Sequence, residues 1–240
     1  MPNLQSPLRA RAGLLAAALA GSLLGFTPAS ALTVPDDMAQ RMQACVVCHG
    51  KEGRATNHGF FPRIAGKPAG YLYNQLANFR EGRRRNATMA YLVDHMSEAY
   101  LREIAGYFAG LDLPYPPPQT TGAPAAVLAR GEQLVRDGDP QRGIPACSQC
   151  HGTAMTGVNP AIPGLLGLPR DYVLAQFGAW RTGERRAAPP DCMADIARRL
   201  SLDDVAAAAA WLSSQPVTSG PAPAGSLPAK LPLDCGSGVR

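Results

Sequence analysis

Two copies of a five-residue sequence, Cys-x-x-Cys-His, constrain the fold of this chain more than any other feature. They occupy Cys45–His49 and Cys147–His151, and a glycine follows each of them. The similarity between the two halves of the chain continues beyond these copies. It includes two further pairs of matched segments, Phe61–Arg85 with Ile162–Arg186 and Met96–Leu111 with Leu200–Gln215. The chain is therefore a tandem repeat, and we expect two domains of the same fold.

Each half is predicted to form three or four short helices, and neither contains a convincing alternating strand. The predicted helices are Asp36–Ala44, Tyr71–Phe79 and Ser97–Ala109 in the first half, and Ala125–Arg136, Tyr172–Trp180 and Ser201–Ser213 in the second. Ser97 and Ser201 are predicted N-caps, because acidic residues follow each of them in the first helical turn. Domains this small usually need a cofactor or a covalent link to complete their core.

The domain boundaries follow from composition. The segment Asp112–Pro124 has prolines at four of its first seven positions, so we expect it to run extended as a linker. It separates an N-terminal domain, residues 32–111, from a C-terminal domain, residues 125–215. A Pro/Gly-rich tail covers residues 216–240. The expected fold class is all-α, with two tandem domains joined by a Pro-rich linker.

The N-terminus has the pattern of a secretory signal peptide at residues 1–31. Arg9 and Arg11 precede an apolar run, Ala12–Phe26, and cleavage is predicted after Ala31. We therefore expect an exported, periplasmic protein that associates with membranes only through its partners. Removing the two arginines lowers the formal net charge from +5 to +3, which is too mild to indicate a nucleic-acid-binding protein.

The Cys-x-x-Cys-His copies indicate covalent attachment of c-type haem, one group per domain. Two thiols three residues apart lie on one side of a helical turn, where they can meet the two vinyl groups of one haem edge. The next residue, His49 or His151, then faces the ring and supplies an imidazole to iron. A zinc ribbon would place its cysteine pairs some 15–20 residues apart, and a thioredoxin-type pair would need a βαβ setting. We predict Cys45, Cys48, Cys147 and Cys150 as the attachment residues.

The second axial ligand of each iron is predicted from the repeat. The second half contains two methionines, and Met155 lies too near His151 to reach the opposite face of a haem. Met193 remains, and its repeat equivalent in the first half is Met89, whereas Met96 is predicted to be a core residue. Pro62 and Pro163 follow the two histidines, and their carbonyls either accept hydrogen bonds from the imidazoles or only form a turn. His58 and His95 have no counterpart in the second half and are predicted to be solvated.

The repeat segments resemble the two-haem cytochrome c4 family. The resemblance rests on the sequences "GEQLVRDGDPQRGIPACSQCHG", "FPRIAGKPAGYLYNQL" and "MSEAYLREIAGYF", and it extends over nearly all of Pro35–Gln215. It implies two class I cytochrome c domains related by a pseudo-twofold axis, each with His/Met ligation, and haem propionates near the domain interface. It also implies a periplasmic electron carrier. The family's ligands fall on His49 with Met89 and on His151 with Met193.

Two features depart from the family pattern, namely the tail and two extra cysteines, Cys192 and Cys235. In an exported protein we expect these cysteines to form a disulfide that ties the tail to the loop holding Met193. The alternative is that Cys192 ligates iron as a thiolate. Five arginines follow two predicted helices and either interact favourably with the helix dipoles or steer acidic partners. They are Arg83, Arg84, Arg85, Arg185 and Arg186.

The function expected from this pattern is electron transfer without catalysis. The donor would be a quinol-oxidising complex or a dehydrogenase, and the acceptor would be a terminal oxidase. One alternative is a haem enzyme of sulfur or peroxide chemistry, similar to a thiosulfate dehydrogenase, which would need an open iron or a Cys192 ligand. Another is a dedicated electron-transfer subunit of a larger dehydrogenase.

Overall fold

The computed structural model describes residues 36–55, 59–217, 222–226 and 230–237. The predicted signal peptide, its cleavage after Ala31, and His58 lie outside the described residues, as do parts of the tail. From Asp37 onward the described residues belong to one compact unit. Among them, no helix combines the length and the apolar character needed to cross a membrane.

Helices make up most of the first half. They are α1 (Met38–Arg41), α2 (Gln43–His49), α3 (Ala69–Arg80), α4 (Ala87–Val93) and α5 (Glu98–Ala109), with a 3₁₀ turn at Lys51–Gly53. Their apolar faces meet in a core that includes Met42, Leu72, Phe79, Leu101 and Phe108. The single helix predicted for Asp36–Ala44 was wrong, because the chain divides at Met42 into α1 and α2.

The second half repeats this arrangement. It contains α6 (Ala125–Arg136), α7 (Cys147–His151), α8 (Arg170–Thr182), α9 (Cys192–Arg199) and α10 (Leu202–Ser213), with a 3₁₀ turn at Pro140–Arg142. Helices α6 and α10 approach closely at Gly131, where an added Cβ would lie 2.2 Å from the carbonyl oxygen of Ala207. A glycine in this helix interior therefore has a packing reason.

The sequence predicted no strand, and the structure contains one very short antiparallel pair. Strand β1 (Gly157–Val158) faces β2 (Ile162–Pro163), with Gly157 opposite Pro163. Gly157 has φ of 106°, a conformation that side chains disfavour. The pair is too small to change the fold class, which is all-α.

The predicted helix caps are confirmed. Ser97 Oγ accepts a hydrogen bond from Tyr100 N at 3.2 Å, and Ser201 Oγ accepts one from Asp204 N at 3.0 Å. Asp204 Oδ2 in turn accepts from Ser201 N at 3.2 Å, which completes a capping box. These caps fix where α5 and α10 begin.

Helices α4 and α9 were not predicted, although each carries a candidate iron ligand. The side chain of Asn86 caps α4 by accepting from Met89 N at 3.0 Å. Asp191 caps α9 in the same way, by accepting from Ala194 N at 3.1 Å. Met193 therefore lies on a helix and not in the expected loop.

The Pro-rich segment at residues 112–124 contains neither helix nor strand, and it is held along its length by hydrogen bonds. The buried guanidinium of Arg63 donates to the carbonyls of Leu113 and Pro114 at 2.6 and 2.9 Å. Further along, Gln119 N donates to Ser213 O at 2.8 Å. The linker boundaries themselves remain a prediction.

The two halves meet through a symmetric polar contact centred on Arg84 and Arg185. These residues form an antiparallel bridge, flanked by hydrogen bonds from Arg85 N to Glu184 O (2.7 Å) and from Arg186 N to Arg83 O (2.8 Å). Arg185 is only 6% exposed. The expectation of helix-end or steering arginines was therefore wrong at this pair, because their guanidinium groups lie inside the interface.

Candidate haem-binding sites

Both Cys-x-x-Cys-His sequences lie on helices. The first ends α2 and the second makes up α7. On a helix, residues three and four apart share a face, so the two thiols and the histidine of each copy are presented together. All four cysteines are free thiols. This is the arrangement that covalent attachment to one edge of a haem requires.

The glycine after each histidine has a conformational role. Gly50 and Gly152 have φ of 77° and 83°, and each is the C-cap of its helix. A Cβ at Gly50 would lie 2.2 Å from the carbonyl oxygen of Ala55. The repeated His-Gly sequence therefore marks a forced turn immediately after the ligand.

Each histidine is oriented by a proline carbonyl. His49 Nδ1 donates to Pro62 O at 2.9 Å, and His151 Nδ1 donates to Pro163 O at 2.7 Å. A carbonyl can only accept, so the hydrogen lies on Nδ1 and the Nε2 lone pair is available to a metal. Burial also lowers the pKa of both imidazoles, which favours the neutral, ligating form.

The candidate residues of both halves line one continuous cavity of about 830 Å³. Its walls are mostly apolar and include the eight predicted attachment and ligand residues, Cys45, Cys48, His49, Met89, Cys147, Cys150, His151 and Met193. Burial raises the pKa of Cys147 to about 11, and it raises the pKa of Cys45 and Cys150 as well. Uncharged sulfur on an apolar wall is compatible with thioether links to a porphyrin edge.

The structure separates Met193 from Met155, but it does not separate Met89 from Met96 in the same way. Met89 and Met193 are half-buried and line the cavity. Met155 is 4% exposed, packs in the core with Trp211 and Leu212, and does not line the cavity. Met96 packs against the core of the first half and also lines the cavity. The assignment of Met89 and Met193 as iron ligands stays a prediction.

An unpartnered polar atom on the cavity wall supports the fit to haem. Among the described residues, Trp180 Nε1 is a buried side-chain donor without a hydrogen-bond partner, and Trp180 lines the cavity. A buried N–H group without an acceptor is costly. A haem carries two propionate groups, and their oxygens are acceptors of the kind that this indole lacks.

Cys192 and Cys235 are joined by a disulfide. The bond ties the tail to the first turn of α9, one residue before Met193. Leu231 and Leu233 of the tail line the cavity, and Asn74 Nδ2 donates to Ser237 O at 3.3 Å. A bonded Cys192 sulfur is not a thiolate, so this form of the protein does not offer it to iron.

The sequence did not predict the polar network at the contact between the two halves. Arg84 donates to Gln75, Gln176 and Tyr172 at 2.7–3.1 Å, and Arg185 donates to Gln176, Gln75 and Tyr71 at 2.8–3.4 Å. The signal was visible in the repeat, where Tyr71 matches Tyr172 and Gln75 matches Gln176. His95, predicted to be solvated, has a side chain 97% exposed.

Elsewhere in the described part of the chain, no three His, Cys, Asp or Glu side chains are grouped to hold a bare metal ion. No protein-family model matches the chain.

Individual relatives do match. The chain is 38% identical over 205 residues to a thiosulfate dehydrogenase electron acceptor of Thiomonas intermedia, covering 85% of this chain and 91% of the relative. It is 32% identical to cytochrome c4 of Pseudomonas aeruginosa, covering 70% and 82%. The crystal structure of reduced cytochrome c4 from Pseudomonas stutzeri superposes with a TM-score of 0.63 at 28% identity, covering 73% of this chain and 95% of that one.

These matches confirm the resemblance, the all-α tandem fold and the two covalently bound haems. They also support an electron-carrying role for this chain. The chain belongs to the cytochrome c4 family and is a dihaem c-type cytochrome that carries electrons between redox proteins.

Proposed function

We propose that this protein is the periplasmic electron acceptor of a thiosulfate dehydrogenase and passes the electrons on towards a terminal oxidase. The observation that carries the proposal is the 38% identity to a thiosulfate dehydrogenase electron acceptor across 91% of that relative's length. Bound haem supplies a one-electron couple. The residues of the chain determine how each haem is bound and whether a substrate can reach its iron.

His49 with Met89, and His151 with Met193, are the proposed axial pairs. The carbonyls of Pro62 and Pro163 hold the imidazoles in the metal-binding tautomer. A His/Met pair would raise the reduction potential of a bound haem. It would also leave the iron no open position for a substrate, so these residues favour a carrier.

The proposed location rests on two features of the chain. The N-terminal 31 residues have the n-region, apolar run and cleavage site of an export signal. The disulfide between Cys192 and Cys235 is typical of an oxidising compartment such as the periplasm.

A haem enzyme acting on thiosulfate itself is the second candidate. It would need an open iron or a thiolate ligand, and the Cys192 sulfur is bonded to Cys235. The carrier and the enzyme make different predictions about what happens when thiosulfate is the only added reactant.

The test is stopped-flow reduction of the oxidised, haem-loaded protein. We expect rapid appearance of the reduced haem spectrum when thiosulfate and a thiosulfate dehydrogenase are both present. Thiosulfate alone, and the dehydrogenase alone, should leave the protein oxidised. Cytochrome c4 of Pseudomonas aeruginosa serves as the matched carrier, and we expect it to be reduced more slowly.

Two results would contradict the proposal. Reduction by thiosulfate alone, with formation of tetrathionate, would make the protein an enzyme. Reduction by a quinol-oxidising complex but not by the dehydrogenase would assign the donor to the respiratory chain instead.

A further inference from the structure

Lys67 is a buried cation that reaches from the first half into the second. Its side chain is 2% exposed, and its Nζ donates to the carbonyl oxygen of Gly164 at 2.9 Å. Gly164 directly follows Pro163, whose carbonyl orients His151. In the repeat alignment, Lys67 corresponds to Leu168. The lysine is therefore a feature of one half only.

Lys67 has no carboxylate partner among the described residues. Its Nζ donates to one carbonyl oxygen and lies 6.0 Å from the centroid of the Tyr115 ring. Burial, together with the smaller effect of the like charge on Arg63, lowers the pKa of Lys67 to about 7. A buried ammonium normally has a counter-charge. Lys67 lines the same cavity as His151 and Pro163.

We propose that Lys67 is a positioning residue that acts across the domain interface on the haem of the second half and raises its reduction potential. A bound haem would bring two propionates into the cavity, and these would supply the negative charge that the lysine lacks. The iron becomes less positive by one charge on reduction. A fixed positive charge in a poorly solvated cavity therefore stabilises the reduced form over the oxidised form.

The hydrogen bond to Gly164 gives Lys67 a second effect on the same haem. It holds the peptide segment that carries the Pro163 carbonyl, and that carbonyl fixes the ring of His151. The charge and the hydrogen bond can be separated by substitution. Lys67→Gln keeps an N–H donor and removes the charge, Lys67→Leu removes both, and Lys67→Arg keeps both.

The experiment is a spectroelectrochemical titration of the full, haem-loaded protein at pH 6, where the Lys67 ammonium is charged. We expect Lys67→Gln to lower the ferrous-to-ferric ratio of one haem about tenfold at a fixed applied potential. This corresponds to a reduction potential lower by ~59 mV for one electron. Lys67→Leu should lower it at least as far, and Lys67→Arg should restore most of it. Lys230→Gln removes an exposed lysine of the tail and should change neither haem.

The affected haem is identified with Met193→Ala, which is expected to abolish the near-infrared Met–iron band of the second-half haem alone. Haem content and thermal melting, measured on every variant, show whether the fold is retained. Unchanged potentials in Lys67→Gln would overturn the proposal, as would an equal shift of both haems. The potentials are measured without a redox partner, so the result does not depend on which dehydrogenase or oxidase exchanges electrons with the protein.

Discussion

Removing the disulfide between Cys192 and Cys235 should destabilise the folded protein by about 4 kcal/mol. The bridge joins residues 43 apart in sequence, and the loop-closure entropy that such a link removes from the unfolded chain corresponds to about 4 kcal/mol at 25 °C. Hydrogen bonds from Gly236 N to Pro190 O (2.9 Å) and from Asn74 to Ser237 (3.3 Å) also hold the tail. They act only in the folded state and are individually worth about 1 kcal/mol.

The assay is guanidinium unfolding of the haem-loaded protein, followed by far-ultraviolet circular dichroism. Wild type and the double variant Cys192→Ser/Cys235→Ser are compared with and without a thiol reductant. The reductant should lower the unfolding midpoint of the wild type to that of the double variant, and it should leave the double variant unchanged. This comparison separates loss of the bridge from any local effect of the two serines.

A loss of less than about 1 kcal/mol in the double variant, at unchanged denaturant dependence, would contradict the loop-closure origin of this stability. That result would mean that the unfolded chain already keeps the tail near α9. A change in the denaturant dependence instead would point to altered compactness of the unfolded state.

Three further predictions concern single positions. Met193→Ala should open one iron to added imidazole and remove half of the near-infrared Met–iron absorbance, while Met155→Leu leaves both signals intact; two unaffected haems would refute the ligand assignment. Gly131→Ala should destabilise the protein by about 2 kcal/mol or more in chemical unfolding, because the added Cβ would lie 2.2 Å from Ala207 O. Gly178→Ala is the control: open space surrounds this position, and the substitution should stabilise the protein by about 0.5–1 kcal/mol. Burial raises the pKa of Asp204, but hydrogen bonds from Arg130 and Arg142 together have a larger effect and hold the pKa below its usual value. The stability that results is present above about pH 4 and is lost as the pH falls. Asp204→Asn should therefore cost about 3 kcal/mol of unfolding free energy at pH 7 and much less at pH 2, and a cost independent of pH would contradict this.

The parts of the fold that were predictable are those set by local sequence. Helix α6 matches its predicted range, Ala125–Arg136, because a proline precedes it and an apolar stripe runs along it. The serine caps of α5 and α10 are equally local. Helices α4 and α9 have only seven and eight residues, too few for an apolar period to be recognised, although Asn86 and Asp191 are capping residue types.

The parts of the site that could not be predicted depend on contacts between distant segments. Lys67 is isolated in sequence, and only the fold places its ammonium against Gly164, 97 residues away. Arg84 and Arg185 belong to arginine clusters that are typical of solvated helix ends. Their burial became apparent only when the two repeats were brought face to face. The repeat supplied two independent copies of one pattern, so it could indicate which residues line the cavity; their role as iron ligands stays a prediction.

The bridge between Arg84 and Arg185 has a consequence for how the two domains stay together. Each half contributes one arginine, one glutamine and one tyrosine to this network, so each hydrogen bond made by Arg84 has a twofold-related counterpart made by Arg185. Each guanidinium also lies over an aromatic ring of its own half, Phe79 or Trp180, at 4.6 or 3.9 Å. This is the self-complementary geometry of a twofold homodimer. A domain carrying this surface presents both sides of the contact, so joining two such domains in one chain makes their pairing independent of protein concentration.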